Sequence, residues 1–324
     1  SLAVFSLVRK VKTDIILIPN NTLPNLLSGF VASVAFRRPA CVVVHHVDTP
    51  FKLDNSDGSS LYETYRSLTY GKLVSLVKTL ATYTTLFPLR RAWRIIAVSN
   101  FTAKVLVGAG VLKSKICVSG NAINSDFIEA VTPYCGQRQF HGVFVGRIAV
   151  EKGIFDLLLV WKEVVKVKKD AQLLIIGSGL ELSFLRKKIA ALDLQKNVRV
   201  FGRCEDKELY SLLKSCKVFI FPSLFEGWGI AVAEALTCGL PVVAYDIPAL
   251  REVFGKCKSV FLVPVKDVWG MSSAILKILN KNKKEFGKLS FNSKVYSRRF
   301  SWEKIAKKDL KFLRSSFIKK GEKW

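Results

Sequence analysis

Two short stretches of this sequence combine cations, acids and glycines in a way that suits a phosphorylated ligand. In Gly146-Arg-Ile-Ala-Val-Glu-Lys-Gly153, Arg147 and Lys152 stand between glycines just past an apolar, strand-like run. Arg147 can bond two phosphate oxygens at once through its planar fork, while Lys152 acts as a mobile point charge; together they suit a diphosphate. In Phe221-Pro-Ser-Leu-Phe-Glu226-Gly-Trp-Gly-Ile230-Ala-Val-Ala-Glu234, Gly227 and Gly229 let backbone come close to a ligand, with Trp228 between them and Ile230 behind. The free amides of the helix expected to start there attract phosphate. Glu234 lies eight residues beyond Glu226, a rise of about 12 Å if the interval is helical. A metal pair or a glycosidase-type carboxylate pair needs less than about 10 Å, so neither fits. One acid is free to meet a sugar and the other a ribose.

Two further features could do chemistry. His45 and His46, two of the three histidines, follow the apolar run Cys41–Val44. A lone histidine there reads as structural, but two at one strand end favour a site, without saying which of them faces it. Gly177-Ser-Gly179 also follows a strand-like run. A nicotinamide-binding fingerprint needs a third glycine where Leu182 stands, and an acid about 20 residues on, where position 197 is Asn and 199 is Arg. A dehydrogenase is thereby excluded. No Asp-x-Asp element is present.

These residues must be placed by the elements around them. Short β-branched runs, 14–18, 40–44, 94–98, 142–145, 173–176, 198–201, 218–221 and 241–245, alternate with longer helical stretches. Continuous apolar strands separated by helices predict parallel sheets covered on both faces, an α/β layout with two sheets. In open parallel sheets the ligand crevice lies at the carboxyl ends of the strands, where both motifs fall. Apolar periodicity stops near Val131–Arg138, at Pro133 and Gly136. This predicts a first Rossmann-like domain over 1–135, a second over 136–299 and a terminal helix over 300–324. Ser1–Lys12 reads as helical.

Composition bounds the partners. The 324 residues carry 51 Lys and Arg against 25 acids, a net charge of +26 that attracts polyanions: nucleic acid, anionic lipid or phosphorylated substrates. The basic residues are spread over many helices rather than gathered in a reading motif, which excludes a nucleic-acid binder. Asn280–Trp324 holds about eleven of the excess charges, interleaved with Phe286, Phe291, Tyr296, Phe300, Trp302, Phe312 and Phe317. Such a tail predicts a face for an anionic membrane surface, with Arg37, Arg38, Arg90, Arg91 and Arg94 beside it. The most apolar stretch, Leu73–Leu89, is broken by Lys78 and threonines, so no crossing of a membrane is expected. Seven scattered cysteines without a C-x-x-C pair predict neither zinc nor a disulfide framework, and a reducing, cytoplasmic setting, peripheral on the inner face of the membrane.

Taken together, Gly146-Arg147…Glu151-Lys152-Gly153, Ile175–Gly179, Val200–Gly202, Phe221–Ser223, Glu226 to Glu234, and Cys238–Val243 with Glu252 resemble glycosyltransferase family 4 in order and spacing. Ala97–Ser99, Gly120-Asn121 and Phe300–Lys304 extend that resemblance over nearly the whole chain. The family is the glycosyl transferases group 1, with the GT-B fold, two Rossmann-like domains facing across a cleft. The resemblance implies a retaining, metal-independent transfer of a sugar from a nucleotide diphospho-sugar to an acceptor hydroxyl, without a cofactor. It implies Arg147 and Lys152 on the donor diphosphate, Glu226 on the transferred sugar, Glu234 on the ribose, and His45 or His46 near the reacting sugar. Gly146, Gly177, Gly179, Gly227, Trp228, Gly229 and Ile230 complete the donor set. Family members usually begin with a strand and a glycine-rich loop that line the acceptor site; this sequence enters later, so an incomplete first domain is expected. The acceptor implied by the basic tail is lipid-linked. A nucleotide-sugar-binding subunit or an epimerase of the same fold is the competing expectation.

Overall fold

The computed structural model of the protein describes residues 14–45, 71–134 and 140–318. His46, the Ser1–Lys12 segment, Gly136 and Cys135 lie outside the described residues. The chain divides into two compact units, Ser1–Asn121 with Glu303–Trp324, and Ala122–Trp302.

Unit 1 alternates β1 (Ile16–Ile18), α1 (Leu23–Ala35), β2 (Ala40–Val44), α2 (Lys72–Arg91), β3 (Arg94–Ala97), α3 (Asn100–Gly108) and β4 (Ile116–Val118). Its four strands pair in the order β1-β2-β3-β4, all parallel. Each crossover needs a helix, and the local signals supply starts: Pro24 in the first turn of α1, and Ser99 capping α3 by accepting from the Thr102 amide at 2.9 Å. Ile18, Leu26, Val42, Leu86, Leu89, Ile95 and Leu106 fill the core.

Unit 2 opens with α4 (Ser125–Ala130) and continues through β5 (Phe140–Val145), α5 (Ile154–Val167), β6 (Leu173–Ile176), α6 (Leu182–Ala191), β7 (Val198–Gly202), α7 (Asp206–Lys214) and β8 (Cys216–Phe221). There follow α8 (Ile230–Thr237), β9 (Val242–Tyr245), α9 (Pro248–Phe254), β10 (Val260–Val263), α10 (Val268–Leu279) and α11 (Lys283–Ser297). The six strands are all parallel in the order β10-β9-β8-β5-β6-β7. From β5 the chain winds outward through β6 and β7, then jumps to the other side of β5 and winds outward again from β8. The order therefore reverses between β5 and β8, and a crevice opens at their carboxyl ends because the flanking loops diverge.

The boundary between units falls at Asn121/Ala122 rather than at 135/136. The reason lies in the packing of α4 and of the residues just after it. Phe127 meets Tyr210 edge-on at 6.0 Å, Lys214 donates to the Glu129 carbonyl at 3.0 Å, and the Tyr134 amide donates to the Ser211 carbonyl at 3.1 Å, all within unit 2. Pro133 punctuates the chain inside unit 2, not between units. The tail expected as one basic, aromatic face is likewise divided. Phe300 is buried in unit 2, and the Tyr296 hydroxyl donates to the Val253 carbonyl at 2.7 Å. Only α12 (Trp302–Ile318), from Glu303 onward, belongs to unit 1, where Ile305 lies beside Gly120 and Phe312 beneath the Arg94 guanidinium. No disulfide joins the cysteines among the described residues, and burial pushes the Cys41 thiol up to about 12, so it behaves as core. No helix among the described residues is long and apolar enough to cross a membrane.

Candidate active site at the strand reversal of unit 2

β5 runs into Gly146-Arg147 and β8 into Pro222-Ser223, so the reversal brings the two motifs side by side. A tight turn at Val150–Lys152 leads to Gly153, whose φ of 65° starts α5 in the left-handed region. A side chain on Gly153 would run into the Pro222 carbonyl oxygen. The Leu224 amide donates to the Glu151 carbonyl at 2.9 Å, fastening one loop to the other. Across this seam the Lys152 ammonium donates to Glu226 Oε1 at 2.6 Å, and the Ser223 hydroxyl donates to the same oxygen at 2.8 Å. Both charged side chains are largely buried, 16% and 13% exposed. Arg147 is held more loosely, 3.3 Å from Glu151 and 68% exposed. A fixed ammonium, a mobile guanidinium and a carboxylate already supplied with two donors thus share one crevice. Its cations can neutralise a diphosphate, and its carboxylate can accept from a sugar hydroxyl.

The second loop reaches α8 through Gly229, at φ 102°, where a side chain would meet Leu250 at 2.6 Å. Gly227 is buried, and Ile230 is exposed at the first turn. The Trp228 ring is buried against Phe300 and Phe254, centroids 4.8 and 5.4 Å away. The indole anchors the loop in the core, which leaves only its backbone for a ligand. The helical rise assumed between Glu226 and Glu234 is corrected, because Glu226 sits in the loop and the helix begins at Ile230. Glu234 accepts from the Tyr210 hydroxyl at 2.8 Å. Burial raises the Glu234 carboxyl above the ordinary carboxylate range, while the tyrosine's hydrogen bond pulls it back.

Gly177 and Gly179 follow β6 and bind the neighbouring loop. Side chains there would run into the carbonyl oxygens of Gly146 and Ile148, and the Ile148 amide donates to the Ser178 carbonyl at 2.9 Å. Gly146 itself donates to the Ile176 carbonyl at 3.1 Å. These glycines serve the close packing of two loops, which fixes where Arg147 starts. In unit 1, His45 caps β2: its amide donates to Asn21 Oδ1 at 3.2 Å, and Nε2 lies 3.1 Å from the Pro19 carbonyl. Ser223 and Tyr210 are the residues the sequence reading gave no role. Ser223 lies inside a noted motif; Tyr210, on α7, carries no local signal. Among the described residues, no three His, Cys, Asp or Glu side chains gather as metal ligands.

Two all-parallel Rossmann-like units, one with a loaded strand reversal, define the GT-B class, and solved structures agree. Anabaena HepE in complex with UDP-glucose superposes with a TM-score of 0.77 at 19% identity, over 97% of this chain and 81% of that one. Sucrose-phosphate synthase of Thermosynechococcus elongatus gives 0.75 at 19%, over 98% and 77%. Residues 137–290 match the family model described as glycosyl transferases group 1. Among curated relatives, an uncharacterised glycosyltransferase of Methanocaldococcus jannaschii is 28% identical over 211 residues, 61% of this chain and 47% of that protein. The phosphatidyl-myo-inositol mannosyltransferase of Mycolicibacterium smegmatis is 32% identical over 166 residues, 51% and 42%. The chain spans about half the length of the curated relatives it matches.

Proposed function

We propose that the protein is a retaining, metal-independent glycosyltransferase of family 4, moving a sugar from a nucleotide diphospho-sugar to an acceptor hydroxyl. The observation that carries this is the meeting of Lys152, Ser223 and Glu226 at the strand reversal of a group 1 domain. The donor diphosphate lies on Arg147, Lys152 and the amides near Gly227–Gly229; Glu226 accepts from the transferred sugar's hydroxyls and Glu234 from the ribose. The bond from the anomeric carbon to the diphosphate breaks, and its electron pair leaves with the nucleoside diphosphate. Fixed cations meet the charge that develops there. The acceptor oxygen bonds the same face of that carbon, and its proton passes to the departing phosphate. By the family resemblance, His45 or His46 serves the reacting sugar. A lipid-linked acceptor is favoured by the mannosyltransferase relative, whose own name specifies phosphatidyl-myo-inositol. Metal independence rests on the family resemblance and on the lack of an Asp-x-Asp element.

Thermal unfolding with UDP, GDP and ADP identifies the donor base, since a true ligand at 100 times its Kd adds about 2.7 kcal/mol. With the donor known, Arg147→Ala and Lys152→Ala are each expected to cut transfer at least about a hundredfold. Unchanged turnover in both would remove the diphosphate assignment. Donor binding without transfer to any acceptor would leave a binding subunit. Activity lost in EDTA and restored by magnesium or manganese would overturn metal independence.

A further inference from the structure

Unit 1 carries an apolar face on the outside of its sheet-covering helices. Leu73, Leu76, Val77, Leu80, Tyr83 and Phe87 of α2 are each 48–74% exposed. Their helical spacing sets them on one stripe, about 21 Å long from Leu73 to Phe87. The same helix buries Ser75 and Thr82. Leu86 and Leu89 face the core with them, yet the outer side carries more large apolar side chains than a helix covering a sheet in water would present. α1 packs beside α2, with Phe30 edge-on to Phe87 at 6.2 Å, and adds exposed Leu27, Val31 and Val34 at the same spacing.

The charge around this face has one sign. Neither helix contains an Asp or a Glu. Arg37 and Arg38 follow α1, Arg90 and Arg91 close α2, and all four are exposed. Because β2 and β3 pair side by side, the two arginine pairs that precede them share one edge of the sheet. The Arg91 guanidinium carbon lies 3.9 Å from the centre of the Phe87 ring, on the border of stripe and edge.

We propose that the α1–α2 face seats unit 1 on an anionic lipid bilayer, its leucines and aromatic rings in the acyl boundary and its arginines on headgroup phosphates. An apolar stripe bounded by cations complements such a bilayer on both counts. A second copy of the chain would set arginines against arginines across a twofold axis, so self-association complements it poorly. The seat belongs to unit 1 and needs no donor, so vesicle binding measured without donor or acceptor succeeds or fails independently of sugar transfer.

The test is cosedimentation with phosphatidylcholine vesicles with and without phosphatidylglycerol, at low and raised salt. The parent protein is expected on the anionic vesicles at low salt, weakening with screening. Arg38→Gln with Arg91→Gln is expected to lower that binding about thirtyfold, from about fivefold per arginine. Leu73→Ser with Leu80→Ser is expected to lower it at least about tenfold, and both sites are exposed, so the fold is retained. Arg186→Gln with Lys187→Gln removes the same charge from α6 of unit 2 and is expected to stay within about twofold of the parent. Three results would overturn the proposal: the serine pair binding like the parent; the α6 pair losing as much as the arginine pair; or a parent dimer that the serine pair dissolves while vesicle binding is untouched.

Discussion

Replacing Lys152 by methionine, Glu226 by glutamine, and both together measures how strongly the seam between the two motif loops is held. The pair is 2.6 Å long with both side chains largely buried, so it is more than a surface contact. Removing one partner of a fully buried pair costs about 3–5 kcal/mol. Here the Ser223 hydroxyl still supplies Glu226 at 2.8 Å, which leaves the carboxylate partly satisfied. The expected loss for Lys152→Met is therefore nearer 2–3 kcal/mol, roughly 4–10 °C in the unfolding of a unit of about 180 residues. Glu226→Gln strands an ammonium instead and is expected to cost a similar amount. The double variant removes both charges and is expected to cost about as much as either single change, giving a coupling of about 2–3 kcal/mol. Urea unfolding of the four proteins at one pH reads that coupling directly. Additive losses, with coupling under about 0.5 kcal/mol, would refute the reasoning and return the pair to an incidental contact.

Three further outcomes are expected. Tyr210→Phe removes the hydrogen bond that holds the Glu234 carboxyl down, so that group, already raised by burial, rises further. If Glu234 accepts from the ribose as a carboxylate, nucleotide affinity then fades at a higher pH on the acid side than in the parent; calorimetric titrations showing an unshifted profile would count against it. Gly153→Ala places a side chain against the Pro222 carbonyl at a φ of 65°, and is expected to destabilise unit 2 by at least about 1–3 kcal/mol in urea. A neutral result would mean that the two loops are not closely joined. Burial, then Lys217 and Lys168, holds His141 below its ordinary value of 6.5, and the Gln172 amide donates to its Nδ1 at 3.2 Å. The unfolded chain takes up this proton first, so the contribution is intact above 6.5 and is lost as pH falls through the lowered value. His141→Asn should flatten that part of the stability profile, and a profile that keeps its slope would contradict the assignment.

Most of the strands were legible because a parallel strand is buried on both faces, and runs such as Leu173–Ile176 admit no other place. Arg147, Lys152 and Glu226 could be read because glycines beside a strand end restrict the backbone whatever the rest of the fold does. Their mutual arrangement could not: Lys152 and Glu226 are 74 residues apart, and only the reversal of strand order makes them neighbours. The place of the Trp228 ring could not be read either, because a tryptophan between two glycines has the same local pattern whether it faces a ligand or Phe300. The unit boundary was misplaced because Pro133 is a sound signal of a turn, while the packing of α4 on unit 2 leaves no periodic trace. The outward leucines of α2 escaped because the helix is mixed all round, with Leu86 and Leu89 in the core and Leu73, Leu76 and Leu80 outside.

The division of the chain has a consequence for how it acquires its structure. Unit 2 is one continuous stretch, whereas unit 1 is assembled from two stretches with the whole of unit 2 between them. During synthesis, the earlier part of unit 1 emerges first but lacks α12, whose Ile305 lies beside Gly120 and whose Phe312 lies beneath Arg94. Unit 2 has all its partners as soon as Trp302 is made, and can close while unit 1 still waits. The usual order of folding from the amino terminus is thus inverted. Closing unit 1 requires a contact between residues almost two hundred positions apart, a loop that costs little once unit 2 has shortened it by folding. A nascent chain arrested before α12 should therefore offer proteases a resistant unit 2 and an open unit 1.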